Sequence, residues 1–175
     1  MRSINLGQDS TREGDFIGAA SSVDLSGSIK GDAMTAGGEV DISGTVTGDA
    51  LAAGGSVSVS GAVSQSLRIV GGNVSISGSA GKNLTAAGGS VKLEKTAHIS
   101  GNTYLAGGNL TVRGSLDGNL MVAGGSVIIS GTVGRNVTIA ADYISIASGA
   151  VINGSLTYYS RNNAEIDPAA KITGP

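Results

Sequence analysis

Apolar and polar residues follow a pattern that recurs every 17 positions along most of the chain. Gly-Gly pairs mark the repeat, at spacings of 17, 17, 17, 19 and 17 residues, and they begin at Gly37, Gly54, Gly71, Gly88, Gly107 and Gly124. Between the pairs, Val, Ile and Leu alternate with Ser, Thr, Asp and Lys in short runs that end in Gly. This alternation is typical of strands with one buried face. A short and regular period predicts a solenoid in which each repeat forms one turn.

Alignment of the repeats gives five apolar columns that predict the core. The second, fourth and eighth positions are apolar in every repeat, as in Val40, Ile42 and Val46, and positions twelve and fourteen are mostly apolar. We interpret each turn as three short strands around a narrow triangular core. The strands are joined by three corners, where Gly is expected to adopt backbone dihedrals that a side chain would penalise. The prediction is an all-β, single-domain parallel β-solenoid over residues 14–175, with about nine turns of 17–20 residues. Residues 1–13 are polar and aperiodic, and we expect them to form an N-terminal extension or cap.

Asp or Asn recurs directly after one corner, at Asp32, Asp49, Asn83, Asn102, Asn119 and Asn136. Stacked turns would bring these side chains into a ladder in which each satisfies a backbone amide. A row of cation ligands is the alternative interpretation. Calcium sites need several acidic oxygens per turn, and most of this column is neutral Asn, so the ladder is favoured.

Composition excludes several classes of function. The chain has 30 Gly and no Cys in 175 residues, which removes disulfide and thiol chemistry. Basic residues are scattered and aromatic residues are few, so we expect no nucleic-acid partner. No apolar run approaches the ~18 residues of a membrane span, and residues 1–5 do not begin a signal peptide, so we expect a soluble chain.

Charge is unevenly distributed along the chain. Residues 1–60 carry eight acids and three bases, a balance of −5, and residues 61–175 carry five acids and eight bases, a balance of +3. In a rod these two halves lie toward opposite ends, which favours head-to-tail contact between copies.

Candidate catalytic chemistry is sparse. His98 is the single histidine, and its place in a long corner predicts a solvated loop residue. Asp24 and Asp41 stack in one outward column, where adjacent turns are too close for the paired carboxylates of glycoside hydrolysis. We therefore predict no enzymatic activity, no cofactor and no metal site, and we find no support for a carbohydrate-active β-helix enzyme.

Two kinds of surface are predicted to mediate association. Outward positions thirteen and fifteen form a flat, weakly apolar side, where Met34, Leu51, Tyr104 and Met121 are the candidate lateral contacts. A solenoid also leaves an unpaired strand row and an open core at each end. The candidate polymerisation residues are Phe16 and Ile17 at one end and Ile166 and Ile172 at the other.

The reiterated unit resembles that of the bactofilins, a family of polymer-forming cytoskeletal proteins. The resemblance covers roughly residues 14–174 and is clearest in the runs VDISGTVTGD (residues 40–49) and VIISGTVG (residues 127–134). It implies a right-handed, triangular β-helix that polymerises end to end without nucleotide into filaments that have no polarity, and a cytoskeletal, membrane-associated location. The A-A-G-G form of the repeat resembles a subgroup in which the solenoid is joined to membrane spans, so a membrane partner would act through a segment outside this sequence.

The function predicted from the sequence is therefore structural: a non-enzymatic protein whose partner is another copy of itself, assembled into filaments or scaffolds. The alternative is an extracytoplasmic binding or sensor module of a membrane-anchored protein, which would require that an N-terminal signal has been removed. The sequence alone leaves both open.

Overall fold

A computed structural model describes residues 2–175, and every regular element in that range is a strand. The larger sheet contains β1 (Ser3–Leu6), β3 (Phe16–Leu25), β5 (Ala33–Ile42), β7 (Ala50–Val59), β9 (Leu67–Ile76), β11 (Leu84–Leu93), β13 (Thr103–Val112), β15 (Leu120–Ile129), β17 (Val137–Ile146), β19 (Leu156–Tyr159) and β20 (Glu165–Ile166). The smaller sheet contains β2 (Thr11–Glu13), β4 (Ser28–Lys30), β6 (Thr45–Val46), β8 (Ala62–Val63), β10 (Ser79–Ala80), β12 (His98–Ile99), β14 (Ser115–Leu116), β16 (Thr132–Val133), β18 (Val151–Ile152) and β21 (Lys171–Ile172).

Each strand pairs in parallel with its counterparts one turn earlier and one turn later, which is the topology of a β-solenoid. Paired residues are 17 apart in most turns, as for Ala33 and Ala50, and 19 or 20 apart in the longer ones. The prediction of an all-β parallel β-solenoid is confirmed. The structure has about ten turns, one more than predicted, because the first residues of the chain form a turn of their own.

The N-terminal segment extends both sheets. β1 pairs with the second half of β3, and β2 pairs with β4. Ser10 N–H donates to the Gly7 carbonyl at 2.9 Å, which closes a corner between the two strands. The region expected to be an extension or cap therefore covers the next turn by continuing its hydrogen-bond ladder.

Two of the three expected short strands are fused into one strand of ten residues that bends at the Gly pair. In β7, Ala50 and Ala52 point inward before the Gly pair, and Val57 and Val59 point inward after it. The inward side chains therefore change from even-numbered to odd-numbered positions across the Gly pair. This change turns the inward face around a corner while the strand keeps its pairing to β5 and β9. Gly54 and Gly55 allow this bend because they present no side chain on either face.

The Asp and Asn column forms the predicted ladder. Asp32 Oδ1 accepts a hydrogen bond from Asp49 N–H at 2.7 Å, and Asn119 Oδ1 accepts one from Asn136 N–H at 3.1 Å. Equivalent bonds begin at Asp15 and end at Ser155. Each side chain thus satisfies the amide of its counterpart one turn later, which confirms the structural interpretation of this column.

Three long corners share one geometry. Ala97 N–H donates to the Glu94 carbonyl, Ala150 N–H to Ala147, and Ala170 N–H to Asp167, at 2.9 to 3.2 Å. The alanine that ends each corner packs on the core. His98 follows one of these corners and begins β12, so the prediction that it is a loop residue is wrong, although its side chain is half exposed.

Most corner glycines are required by the stacking of turns and not by their backbone dihedrals. Positive φ occurs only at Gly14 and Gly149 among residues 2–175. A Cβ at Gly61 would instead overlap the carbonyl oxygen of Gly44, one turn earlier. The interpretation that corner dihedrals demand glycine is therefore wrong at these positions, and close approach of successive backbones is the reason.

We predict that Gly61→Ala will destabilise the fold far more than Gly89→Ala. The first substitution forces two backbones apart, whereas a Cβ at Gly89 would lie 3.0 Å from the nearest atom, the Gly72 carbonyl oxygen. Gly61→Ala should lower the free energy of unfolding by more than about 2 kcal/mol. Urea denaturation followed by circular dichroism measures both variants. Equal losses would show that stacking distance does not select glycine at this corner.

The core consists of Val, Ile, Leu and Ala from every turn, with one polar exception that lacks a partner. Thr103 is fully buried in column twelve between Leu84 and Leu120, and its hydroxyl has no hydrogen-bond partner among the described residues. A buried hydroxyl without a partner carries an uncompensated desolvation cost.

We predict that Thr103→Val will raise the free energy of unfolding by about 1 kcal/mol, because it removes that cost and keeps the shape of the side chain. Thr35→Val is the matched control, since Thr35 is also buried but its Oγ1 donates to the Leu51 carbonyl at 3.5 Å. The increase in the free energy of unfolding should be smaller for Thr35→Val. Thermal denaturation of both variants provides the comparison, and a loss of stability in Thr103→Val alone would contradict the prediction.

Candidate association surfaces

The first turn presents an unpaired strand edge at the N-terminal end of the rod. Among the described residues, β1 and β2 each have a partner on one side only. The first half of β3, residues 16–20, pairs with β5 but not with β1, which covers only residues 22–25. These three stretches together form one turn of backbone with free hydrogen-bonding groups.

The core at this end is partly covered by its own side chains. Ile4, Leu6 and Phe16 are half buried and pack against the core. The Phe16 ring and Ile4 fill the space above Gly18, where an added Cβ would lie 2.9 Å from Ile4 Cδ1 and from Phe16 Cζ. Arg12 occupies the eighth column, which is apolar in every other turn, and it is exposed.

The last turn exposes a corresponding edge at the C-terminal end. Within residues 2–175, β19, β20 and β21 have strand partners only on the side of the preceding turn. Leu156 and Ile172 are half buried against the core, and Tyr158 and Ile166, which continue inward columns, are 40% and 44% exposed. Tyr143 Oη donates to Glu165 Oε2 at 2.8 Å, which fastens β20 to the previous turn and raises the pKa of the tyrosine.

The four predicted end residues lie on the two outermost turns, but they are not equivalent. Phe16, Ile166 and Ile172 stand in inward columns at the open ends of the core. Ile17 is 78% exposed and points to the side, so it belongs to the lateral surface. Tyr158 is a further residue of this end that was not predicted. Its place in column fourteen follows when the repeat alignment is extended through residue 159.

The outward side chains from the first halves of β3 to β19 form one flat surface, called here the lateral face. Its first row is Ile17, Met34, Leu51, Arg68, Thr85, Tyr104, Met121, Thr138 and Thr157. Its second row is Ala19, Ala36, Ala53, Val70, Ala87, Ala106, Ala123, Ala140 and Tyr159. Arg68 is the one charged residue in the two rows.

The four predicted lateral residues are brought onto this face and remain exposed. Met34, Leu51, Tyr104 and Met121 are 40% to 50% exposed, which is high for such large apolar side chains. Toward the C-terminal half, Tyr104, Met121 and Tyr159 surround a shallow apolar groove of about 390 Å³ floored by alanines. The face is therefore uneven, with projecting aliphatic side chains in one half and a groove in the other.

The remaining polar surface offers little chemistry. His98 Nε2 lies 3.2 Å from Asp117 Oδ2 in an exposed pair on the smaller sheet. Within residues 2–175, no cluster of His, Asp or Glu side chains is arranged to hold a metal ion. The part of the chain that the structure describes also contains no helix that could cross a membrane.

An acidic cluster stands beside the lateral face in the N-terminal half. Asp24 and Asp41 are paired in register, and Glu39 lies on the same strand as Asp41. Partial burial, and then the charges of Asp24 and Glu39, raise the pKa of the Asp41 carboxyl above its ordinary value. Charged Asp41 therefore disfavours the folded state.

We predict that Asp41→Ser will raise the melting temperature at pH 7, since Ser58 and Ser75 occupy this column in the next two turns. The folded protein binds a proton more readily at Asp41 than the unfolded chain does, so the parent gains stability as the pH falls through the raised pKa. The difference in melting temperature between the variant and the parent should therefore decrease as the pH falls through that range. A constant difference from pH 7 to acid would show that the charge of Asp41 is not its cause.

The chain matches no family model, and no curated protein or solved structure is significantly similar to it. The resemblance to bactofilins therefore stays a prediction from the repeat.

Proposed function

We propose that this protein is a non-enzymatic structural subunit that associates end to end with copies of itself, as a bactofilin-like filament or scaffold element. A β-solenoid is compatible with a structural, self-associating protein. The observation that carries the proposal is the pair of unpaired strand edges, one on each outermost turn, in the same repeat register.

Register supports stacking of the last turn of one copy on the first turn of another. Following paired residues from turn to turn, Leu156 belongs to the column of Phe16, and Ile166 belongs to the column of Leu6. A second copy placed one turn beyond the first would therefore continue both sheets and bury these apolar pairs. Strand addition of this kind combines main-chain hydrogen bonds with side-chain packing.

One column disagrees with this stacking. Ile172 shares its column with Arg12, so a head-to-tail junction would bring an arginine beside the core. The aliphatic part of an arginine can lie on an apolar surface while its guanidinium reaches water. The junction would then be weaker than an internal turn, which fits association that depends on protein concentration.

A structural role also agrees with the rest of the surface. The grooves on the described residues are shallow, and none gathers a nucleophile, a base and an orienting group. The longer turns add only two or three residues to the common 17 and build no cleft. We therefore propose that the solenoid itself, and no site on it, is the functional element.

The experiment is electron microscopy and sedimentation over rising protein concentration, with the parent and with Ile166→Lys/Ile172→Lys. We expect filaments in the parent and none in the double variant, because two charges would be buried at the junction. Ile128→Lys is the matched control, since Ile128 is 38% exposed on the side of the rod in β15. Filaments should persist in that control.

A second substitution tests the direction of stacking. Arg12→Leu restores an apolar residue to the eighth column, and it should lower the concentration at which filaments appear if the last turn meets the first. Filaments that persist in Ile166→Lys/Ile172→Lys, or parent protein that stays monomeric at every concentration, would refute end-to-end assembly. Dispersed monomers would favour the binding or sensor module instead.

A further inference from the structure

The uneven charge of the chain lies along the sides of the rod and not at its ends. The last turn, residues 156–175, holds Arg161, Glu165, Asp167 and Lys171 and sums to zero, and residues 1–20 hold two bases and three acids and sum to −1. Residues 21–60 hold one base and five acids, a balance of −4, and residues 61–155 hold six bases and three acids, a balance of +3. The sequence-based expectation that this asymmetry favours head-to-tail contact therefore rests on charges outside the two outermost turns.

We propose that the lateral face is an interface with a second copy of this chain, packed face to face with the two rods antiparallel and a two-fold axis at Thr85. Such a dimer does not depend on end-to-end assembly, and it would form between free subunits or between filaments. Three features of the face favour this occupant: the order of its side chains, the charges beside it, and its area.

The central part of the first row of the lateral face, from Leu51 to Met121, is complementary to its own reverse. Thr85 is the fifth of nine residues in the row. A two-fold axis at Thr85 therefore lets the nine turns of one copy overlap the nine turns of the other. Each residue of the row then lies opposite the residue of the second copy that is equally far from Thr85 on the other side. Leu51 then meets Met121 of the second copy, at the edge of the apolar groove. Isologous contacts require this self-complementarity, in which one patch serves both copies.

The central charge of the row also finds a partner in this arrangement. Arg68 is one turn before Thr85 and Tyr104 is one turn after it, so each arginine lies opposite the tyrosine of the second copy. A guanidinium over an aromatic ring is a favourable cation–π contact. The two arginines are themselves two turns apart along the rods, on the order of 10 Å, which limits their repulsion.

Charges along the edge of the face agree with the antiparallel direction. The corner next to the first row carries Asp15, Asp32 and Asp49 in the N-terminal half, Lys82 in the central turn and Arg135 in the C-terminal half. A two-fold axis across the rods keeps this corner on the same side in both copies and reverses its direction. Asp32 then lies opposite Arg135 of the second copy. Parallel packing would instead place residues 21–60 of the two copies side by side, each with a net charge of −4.

The area is sufficient for a specific but reversible dimer. Nine strands contribute to the face, and at about 4.8 Å per turn and about 15 Å across it measures roughly 600 Å² per copy. The pair would bury about 1,200 Å², at the lower bound of stable interfaces. We therefore expect a dimer that dissociates on dilution.

Cysteine cross-linking tests the geometry directly, because the natural chain has no cysteine. Single variants Thr85→Cys, Leu51→Cys and Met121→Cys are treated with a short bismaleimide, and the products are separated by denaturing electrophoresis. Thr85→Cys should link to itself, since it lies on the axis. Leu51→Cys and Met121→Cys should each fail alone and link when mixed, because two copies of either site are offset by four turns, about 19 Å.

The pattern of products separates this interface from its alternatives. Equal self-linking of all three variants would overturn the antiparallel arrangement, since parallel or random contacts favour no site. The dimer would be refuted if cross-linking of all three variants did not exceed that of a denatured sample. If the parent were also monomeric by ultracentrifugation and bound phosphatidylcholine vesicles, a lipid surface would replace the second copy as the occupant.

End-to-end assembly neither produces nor prevents these links. Cysteines in successive subunits of a filament would be about nine turns apart, on the order of 40 Å, which exceeds the reach of the reagent. Failure of the lateral interface is therefore distinguishable from failure of the proposed polymerisation.

Discussion

Each turn of this protein must stack on its neighbour at strand spacing and in strict register. Successive turns are hydrogen-bonded in parallel, so the nearest neighbour of almost every residue is the residue at the same position one turn away. This constraint explains why Gly61 cannot bear a side chain, since the backbone of Gly44 occupies that space. It also explains the Asp and Asn ladder, in which one side chain supplies the acceptor that the next turn lacks. The corner glycines, the apolar columns of the core and the rows of surface residues all follow from one stacking distance.

The same constraint determined how much could be predicted from the sequence. Because a solenoid repeats its environment, residues that share a column share a structural role, and alignment of the repeats was enough to predict the core, the ladder and the exposed side. Met34, Leu51, Tyr104 and Met121 were placed on one face by period alone, and the structure leaves all four exposed. A globular fold would not have allowed this, since its contacts join unlike segments.

The N-terminal turn escaped the alignment because it satisfies the same geometry with different residues. Ile4 and Leu6 fill the second and fourth columns, but Arg12 stands in the eighth and Gly18 in the fourteenth. No Gly-Gly pair marks the turn, since Ala20 and Ser21 replace it. A terminal turn is under weaker packing constraints than an internal one, as one side of its core is open. Phe16 compensates for Gly18 by covering it, an adjustment between two columns that a column-by-column alignment cannot detect.

Stacking also distinguishes the two modes of association that we propose for the rod. At the ends, association extends the hydrogen-bond ladder, so specificity comes from register and from a few apolar residues such as Ile166 and Leu156. Along the side, backbone groups are already paired, so specificity must come from the order of side chains in a row and from charges beside it. Asp32 and Arg135 bear on the lateral mode, because each lies one turn inside an outermost turn and borders the lateral face. Since the ends are nearly neutral while the flanks are oppositely charged, electrostatics should direct lateral pairing, and apolar burial with strand addition should direct growth.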